Sequence, residues 1–514
     1  MDAKHSSPET PDTEKDRPVV DLEEIGEREG YMLYTPRNKN QNLKTTDDGQ
    51  TVLIPQPTNF PHDPLNWSPF RKNLILFVIS ATAFLPDYGS ATGAVTLLQQ
   101  AKQWNMTEDH VNHSQAGNIF MLGVGGPIVV ALSAYFGRLP VLFYFVLMAL
   151  ATAIWCTAAQ SFESFMAARI LNGFFSTVAQ GGGLMFIKDM FFLHEQARKI
   201  NIWSGSIILS PYLGPMFAAF ITNTQVWQWA FGLYSIETGL CLIAIILFVE
   251  ETYYDRKNIQ PDLIPNAPRW KRMLGIQQRR SGYMVNTPKD AIMRPITVIM
   301  KPVVFLSTIY YMLTFAWVVG VNTTLSIFVG PLYGFGPKQI GFFYFTPVVA
   351  AILGELTGHW LHDYLAKLST NRNQGRLEPE ARLLAIWFAT PFILAGIILL
   401  GFALEGAYHY MLTALGWGFY VFGVMIVTVA INAYVLDSYP EASGEVAAWV
   451  CFGRTTGGFI VSYFMVEWAG KQGARRQFGT MAGIVAGAVL IVLVLQVRGK
   501  ELRGWAGPVR FKTG

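Results

Sequence analysis

Arg169-Ile170-Leu171-Asn172-Gly173, followed by Gly205 and Ser210-Pro211-Tyr212-Leu213-Gly214-Pro215-Met216-Phe217-Ala218-Ala219, decides how the chain is read. Both segments lie in strongly apolar runs within 168–220, separated by a short charged connector. Each run is long enough to cross a bilayer, for which about 20 apolar residues suffice. An arginine inside such a run is costly in hydrocarbon and marks a pathway or a buried partner. Glycines and prolines spaced along the second run let helices pack closely and bend.

Working outward, the same signature repeats. The chain has 514 residues, 51% hydrophobic and 14% charged. Soluble domains carry about 25% charged residues, so the deficit indicates a membrane protein. Apolar runs at 73–96, 115–135, 140–160, 163–187, 200–222, 229–249, 303–327, 339–360, 382–404, 409–434, 445–466 and 478–497 give about twelve spans. They fall into two sets of six. The expected organisation is a disordered cytoplasmic tail over 1–72, a first bundle over 73–249, a cytoplasmic central loop over 250–302, a second bundle over 303–497 and a cytoplasmic tail over 498–514. The expected class is an all-α membrane protein.

The net charge of +4 is too small to suggest a nucleic-acid partner. Arg71-Lys72, a group of Lys and Arg in the central loop, and Arg498, Lys500 and Arg503 fall on one side, which the positive-inside bias makes cytoplasmic. Lys471, Arg475 and Arg476 run against that bias. The sequons at Asn105 and Asn112 fall on the opposite side and are candidate glycosylation sites. Cys156, Cys241 and Cys451 lie in apolar runs without metal-ligand spacing and read as unpaired core residues. No phosphate-binding loop of the GxxxxGK[ST] kind and no catalytic constellation is present, so the reading is a non-enzyme with no cofactor and no ATP drive.

Asp87 is the leading candidate for function. It follows Pro86 and lies about 21 Å along the first span at 1.5 Å per residue. A carboxylate at that depth can exchange a proton or hold a cation; a later start of the span would leave it at the outer interface instead. Arg169 reads either as a fixed charge acting on such a carboxylate or as a structural arginine bonded to carbonyls of a neighbouring helix. Glu237 could face a pore or rest near the outer end with Ser235 or Thr238, the second being the better reading. Glu355 reads as a gate or anchor at the cytoplasmic end of its span. Asp437, Glu441 and Glu445 line the turn between the tenth and eleventh spans, with Arg454 beyond it. Such a charged turn either latches by ion pairs in one conformation or merely stops two helices. Tyr310, Tyr311, Trp317, Tyr344, Trp417 and Tyr420 could line a cavity for flat apolar or cationic ligands.

These residues resemble fungal major facilitator transporters of the twelve-span drug:proton antiporter branch, over roughly 60–500. Asp63-Pro64-Leu65-Asn66-Trp67-Ser68 resembles that group's opening signature. Arg169 through Gly173 resembles its fourth-helix arginine motif, and Gly205 with Gly214-Pro215 its fifth-helix antiporter motif. Trp227-Gln228-Trp229, Glu250-Glu251-Thr252-Tyr253-Tyr254, Gly354 through Asp363, Glu378 through Leu383 and the Asp437-to-Arg454 segment fit as well. The signature loop after the second helix departs from the pattern. Gly137-Arg138 survives, but the acidic and basic positions are Ala134 and Tyr135, so Arg138 must pair elsewhere.

The resemblance implies the major facilitator fold, two pseudo-symmetric six-helix bundles acting as a monomer in the plasma membrane, with both termini cytoplasmic. It implies proton-coupled efflux of a small organic compound, such as a drug, toxin or secondary metabolite. Asp87 would be the protonation or cation site, Arg169 its electrostatic partner, Gly205, Pro211, Gly214 and Pro215 the hinge, and Arg138, Glu355 and the Asp437–Glu445 turn with Arg454 the gates. Proton-coupled uptake of a polyamine or other organic cation uses the same parts. A transporter-like nutrient sensor is a third reading.

Overall fold

The computed structural model describes residues 44–45, 53–254, 256, 268–276, 286–372, 378–509 and 511. Helices dominate throughout these residues. The first half comprises α1 (Pro69–Trp104), α2 (Glu108–Phe136), α3 (Arg138–Ala158), α4 (Phe162–Ser176), α5 (Val178–Met190), α6 (Leu193–Thr222) and α7 (Gln228–Phe248). Two short helices, α8 (Arg269–Met273) and α9 (Pro288–Ile299), occupy the central loop. The second half comprises α10 (Pro302–Tyr333), α11 (Pro337–Phe343), α12 (Phe345–Arg372), α13 (Leu384–Glu405), α14 (Tyr410–Ser438), α15 (Ser443–Gln472) and α16 (Ala474–Ala506).

The helix starts follow from local chemistry. The side chains of Ser68, Thr107 and Ser161 each accept a backbone N–H at the start of α1, α2 and α4, satisfying one of the orphan donors there. Between α2 and α3, Gly137 takes φ +98°, a conformation that side chains resist. Pro86, Pro211 and Pro215 lie inside α1 and α6, where each removes a backbone hydrogen bond.

Burial sorts the helices. The most apolar stretch of α1 is 78% buried, and that of α7 only 28%. The first is therefore central and the second presents its Ile236, Leu240, Ile243 and Leu247 outward. α1 packs on α2, α5 and α7, and α10 on α14, α15 and α16. The halves meet where α15 packs along α2 and α5 and where α10 packs on α1. The end of the bundle at which α1 starts is called the first end below, and the opposite end the second.

Two expectations about limits change. Eleven helical segments among the described residues are long and apolar enough to cross a membrane, with α4 and α5 together forming one and α11 and part of α12 another. The eleventh span of the sequence count, α15, is a 30-residue helix that falls short on composition, because Arg454 and the Thr455-Thr456-Gly457-Gly458 run dilute its apolar residues. The tail was expected to be disordered through residue 72, but α1 begins at Pro69 and the segment before it is ordered by Asp63. Asp63 is fully buried, accepts the N–H groups of Thr58 and Leu65, and pairs with Arg256 at 3.1 Å. Residues 1–43 lie outside the described residues. Residues 53–57 with Phe192–His194 belong to a small separate unit, in which the Leu193 N–H donates to the Ile54 carbonyl at 2.8 Å.

Candidate functional site

The site is built on α1, α5 and α15. Arg454 Nη2 donates to Asp87 Oδ2 at 2.8 Å, and the two side chains are 9% and 13% exposed. Gln180 of α5 completes the arrangement. Its Nε2 donates to the same Asp87 oxygen at 3.0 Å and to the Ala83 carbonyl at 3.1 Å, while its Oε1 accepts from Arg454 Nη2 at 3.3 Å. Cys451, one turn before Arg454 on α15, sets its thiol 3.7 Å from the same nitrogen. The Phe315 ring of α10 lies under the guanidinium, 5.2 Å from its carbon. Tyr311, one turn earlier on α10, shares a hydrogen bond with Thr428 at 3.0 Å and lies within electrostatic reach of Arg454 and Asp87, as does Tyr212 of α6.

The halves touch on both sides of this pair. Toward the second end, Ser326 donates to the Ala94 carbonyl, Asn322 to the Pro211 carbonyl, and Asn112 to the Ser462 carbonyl. Toward the first end, Lys188 donates to the Pro440 carbonyl at 3.1 Å, and Gly444 lies against Met185. The arrangement therefore places one charge-neutral, mostly buried ion pair between contacts that join the halves on either side.

Arg169 is not the partner of Asp87. Its Nη1 and Nη2 donate to the carbonyls of Gly89 and Ser90, at 2.7 and 2.8 Å, and its guanidinium faces the Phe231 ring at 5.1 Å. The two-pronged cation thereby ties the backbone of α1 to α4. This is the geometry of the second reading, an arginine bonded to carbonyls of a neighbouring helix. Arg454 does not belong to the first-end turn either: at 1.5 Å per residue it lies about 16 Å into α15, opposite Asp87.

The other sequence candidates separate. Asp437 pairs with Arg382 at 2.6 Å, Glu445 with Arg294 at 2.6 Å, and Glu441 lies in the short turn Pro440–Ala442 between them. Arg138 finds its partner in Asp189 of α5 at 3.2 Å, in place of the acid missing at Ala134. Glu251 accepts the N–H groups of Arg138 and Leu139 at the start of α3; burial raises its carboxyl above the usual range, against the pull of these donors and of the Arg138 charge. Glu355 pairs with His359 one turn along α12, at 2.9 Å, so its partner is on its own helix. Of the two hydroxyls offered to Glu237, Ser235 donates to the Phe231 carbonyl and Thr238 to that of Tyr234.

Of the aromatic candidates, Tyr311 packs against Phe315, the ring beneath Arg454, with centroids 5.2 Å apart. Tyr420 lies behind it, donating to the Thr314 carbonyl. Trp417 packs between Phe343 and Tyr344 inside the second half, and Trp317 faces Trp468. Gly214 permits the contact of α6 with α1, since a Cβ there would lie 2.4 Å from the Tyr88 carbonyl oxygen; Gly205 has nothing within 4 Å. Pro211 and Pro215 lie inside α6 on either side of Gly214. Asn105 is exposed at the end of α1, but Asn112 is fully buried with its amide nitrogen bonded to Ser462, which leaves no room for a glycan. Gln180, Cys451 and Phe315 were missed; a lone glutamine ahead of Gly181-Gly182-Gly183 in an apolar run was the available signal.

Comparison with known proteins agrees with this architecture. The model of the Major Facilitator Superfamily matches residues 74–462. An uncharacterized MFS-type transporter of Schizosaccharomyces pombe is 23% identical, over 94% of this chain and 93% of its own length. The efflux pump FUB11 of Gibberella fujikuroi is 25% identical, over 76% of this chain and 68% of its own. Among solved structures, the xylose transporter XylE from E. coli in a partially occluded inward-open conformation aligns with a TM-score of 0.56, over 83% of this chain and 97% of its own, at 15% identity, a likeness of fold alone. The chain is a multi-helix membrane transporter of small molecules and belongs to the Major Facilitator Superfamily.

Proposed function

We propose that this transporter exports a small organic compound by proton-coupled alternating access, with Asp87 as the protonation site. The Asp87–Arg454 pair carries the reading. It joins the two halves at mid-helix, and it is mostly buried. A proton on Asp87 cancels its charge and leaves Arg454 without a counter-charge. An uncompensated buried charge costs about 3–5 kcal/mol. That cost favours a conformation in which the halves part and Arg454 meets water or an anionic group of the substrate. Loss of the proton restores the pair and draws the halves together. Phe315, Tyr311 and Tyr212 supply flat walls beside it.

Export is supported by relatives named as efflux pumps. Polyamine uptake is disfavoured by charge: Asp87 is already neutralised by Arg454, whereas a polycation needs surplus carboxylate. In this reading the first end faces the cytoplasm, with the termini and the 250–302 loop, in the plasma membrane.

The test is the full chain in sealed vesicles with an imposed pH gradient and a pH-sensitive dye inside, screened against a panel of hydrophobic organic acids and cations. Substrate-dependent proton movement that Asp87→Asn abolishes, while folding is retained, supports the assignment. Undiminished gradient-driven transport in Asp87→Asn overturns it.

A further inference from the structure

Among the described residues, one face of α9 is packed against its neighbours and the other is exposed. Ala291, Arg294, Pro295 and Val298 are buried against α2 and α15. The back of the helix is held firmly: Arg294 pairs with Glu445 at 2.6 Å, Trp449 donates to the Pro295 carbonyl at 2.8 Å, and Asn286 just before the helix donates to the Ala134 carbonyl. The opposite face carries Ile292, Met293 and Ile296, continued by Met300, which are 59%, 44%, 45% and 75% exposed. At 100° per residue these four fall within one arc, so they form a single apolar strip. Lys289 is exposed at its start, and at its end the Lys301 ammonium donates to the Ala506 and Gly507 carbonyls.

We propose that α9 is an interfacial helix whose Ile292–Met293–Ile296–Met300 strip is seated in the lipid leaflet at the first end of the bundle. A short helix with one apolar face and a cationic start lies in the plane of the boundary between headgroups and acyl chains, with Lys289 reaching up to phosphate. Two further observations name lipid as the occupant. The strip runs directly into α10, whose Phe305 is 50% exposed on a membrane-spanning helix, so the two surfaces are continuous. The same end carries exposed Phe70, Trp270 and Trp505 beside Arg71, Lys271 and Lys500, the aromatic and basic pairing of a membrane–water interface. Because the back of α9 holds Glu445 at the start of α15, the leaflet steadies one side of the first-end closure. The proposal does not depend on proton coupling or on the direction of transport.

The experiment uses the full chain with Cys156, Cys241 and Cys451 replaced, reconstituted in vesicles of phosphatidylcholine and phosphatidylglycerol. Single cysteines at Ile296, at Phe305 as a lipid reference and at Lys471 as a water reference carry a nitroxide. Collisions with oxygen, which concentrates in lipid, are compared with those of an aqueous nickel chelate. The expected oxygen-to-nickel ratio at Ile296 matches that at Phe305 and lies well above that at Lys471. A ratio at Ile296 equal to that at Lys471, with Phe305 unchanged, overturns the proposal. Low collision with both reagents together with dipolar broadening also overturns it, by showing a second copy on the strip. Ile296 is exposed, so its replacement removes no packed side chain, and the Phe305 ratio reports insertion in the same preparation.

Discussion

Arg454 Nη2 donates to Asp87 Oδ2 across 367 positions of sequence, and this one bond ties a helix of the first half to a helix of the second. Gln180 bonds to both partners, so the carboxylate and the guanidinium are held in register from a third helix.

Removing one partner is expected to cost more than removing both. Asp87→Ala leaves Arg454 buried and uncompensated and should lower stability by about 3–5 kcal/mol. Asp87→Ala combined with Arg454→Met should recover most of that loss, with transport absent from both variants. Thermal unfolding in detergent, alongside vesicle transport, checks this; a double variant no more stable than the single one contradicts the pairing.

Arg169 is expected to behave as a fastener rather than as a coupling group. Lysine has a single ammonium and cannot match the planar fork that spans the Gly89 and Ser90 carbonyls. Arg169→Lys should therefore lower the unfolding temperature while leaving the pH profile of residual transport where it was. A shifted profile at unchanged stability would return Arg169 to the proton path.

The glycines of α6 should differ sharply. In Gly214→Ala the new methyl meets the Tyr88 carbonyl oxygen at 2.4 Å, a backbone atom that cannot swing away. Such overpacking costs about 1–3 kcal/mol. Gly205→Ala meets nothing within 4 Å and should be neutral or slightly stabilising through the better helix propensity of alanine. Comparing the unfolding temperatures of the two variants decides the point.

The Arg294–Glu445 pair should report first-end closure. Glu445→Gln removes the charge that Arg294 faces and should raise the labelling rate of a cysteine placed at Lys188, beside Pro440, by a membrane-permeant maleimide. The charge-swapped pair, Arg294→Glu with Glu445→Arg, should return that rate toward its original value. No recovery would indicate that the two positions matter singly, without pairing.

A glycan, where one is attached, should be at Asn105. Asn105→Gln should abolish any endoglycosidase-sensitive shift in gel mobility, and Asn112→Gln should leave it unchanged, since Asn112 is buried against Ser462.

The membrane class and the run of spans were legible in the sequence, and Asp87, Gly214 and the charged turn stood out there as candidates, because each is a local property. Twenty apolar residues in a row, a carboxylate in their midst or a glycine beside a proline declares itself without reference to the rest of the chain. Even α15, polar as it is, was counted among the spans on its apolar residues. Partner choice was not legible. Asp87 and Arg169 seemed natural counterparts, yet Arg169 is rotated toward the backbone of α1 and Arg454 approaches from the other half. Which faces of two helices meet depends on their rotation and offset, and those come from the packing of every helix around them. The tertiary structure therefore decided which charges neutralise each other, that Gln180 binds both, and that Asn112 is walled off, whereas hydropathy alone had already determined that this chain lives in a bilayer.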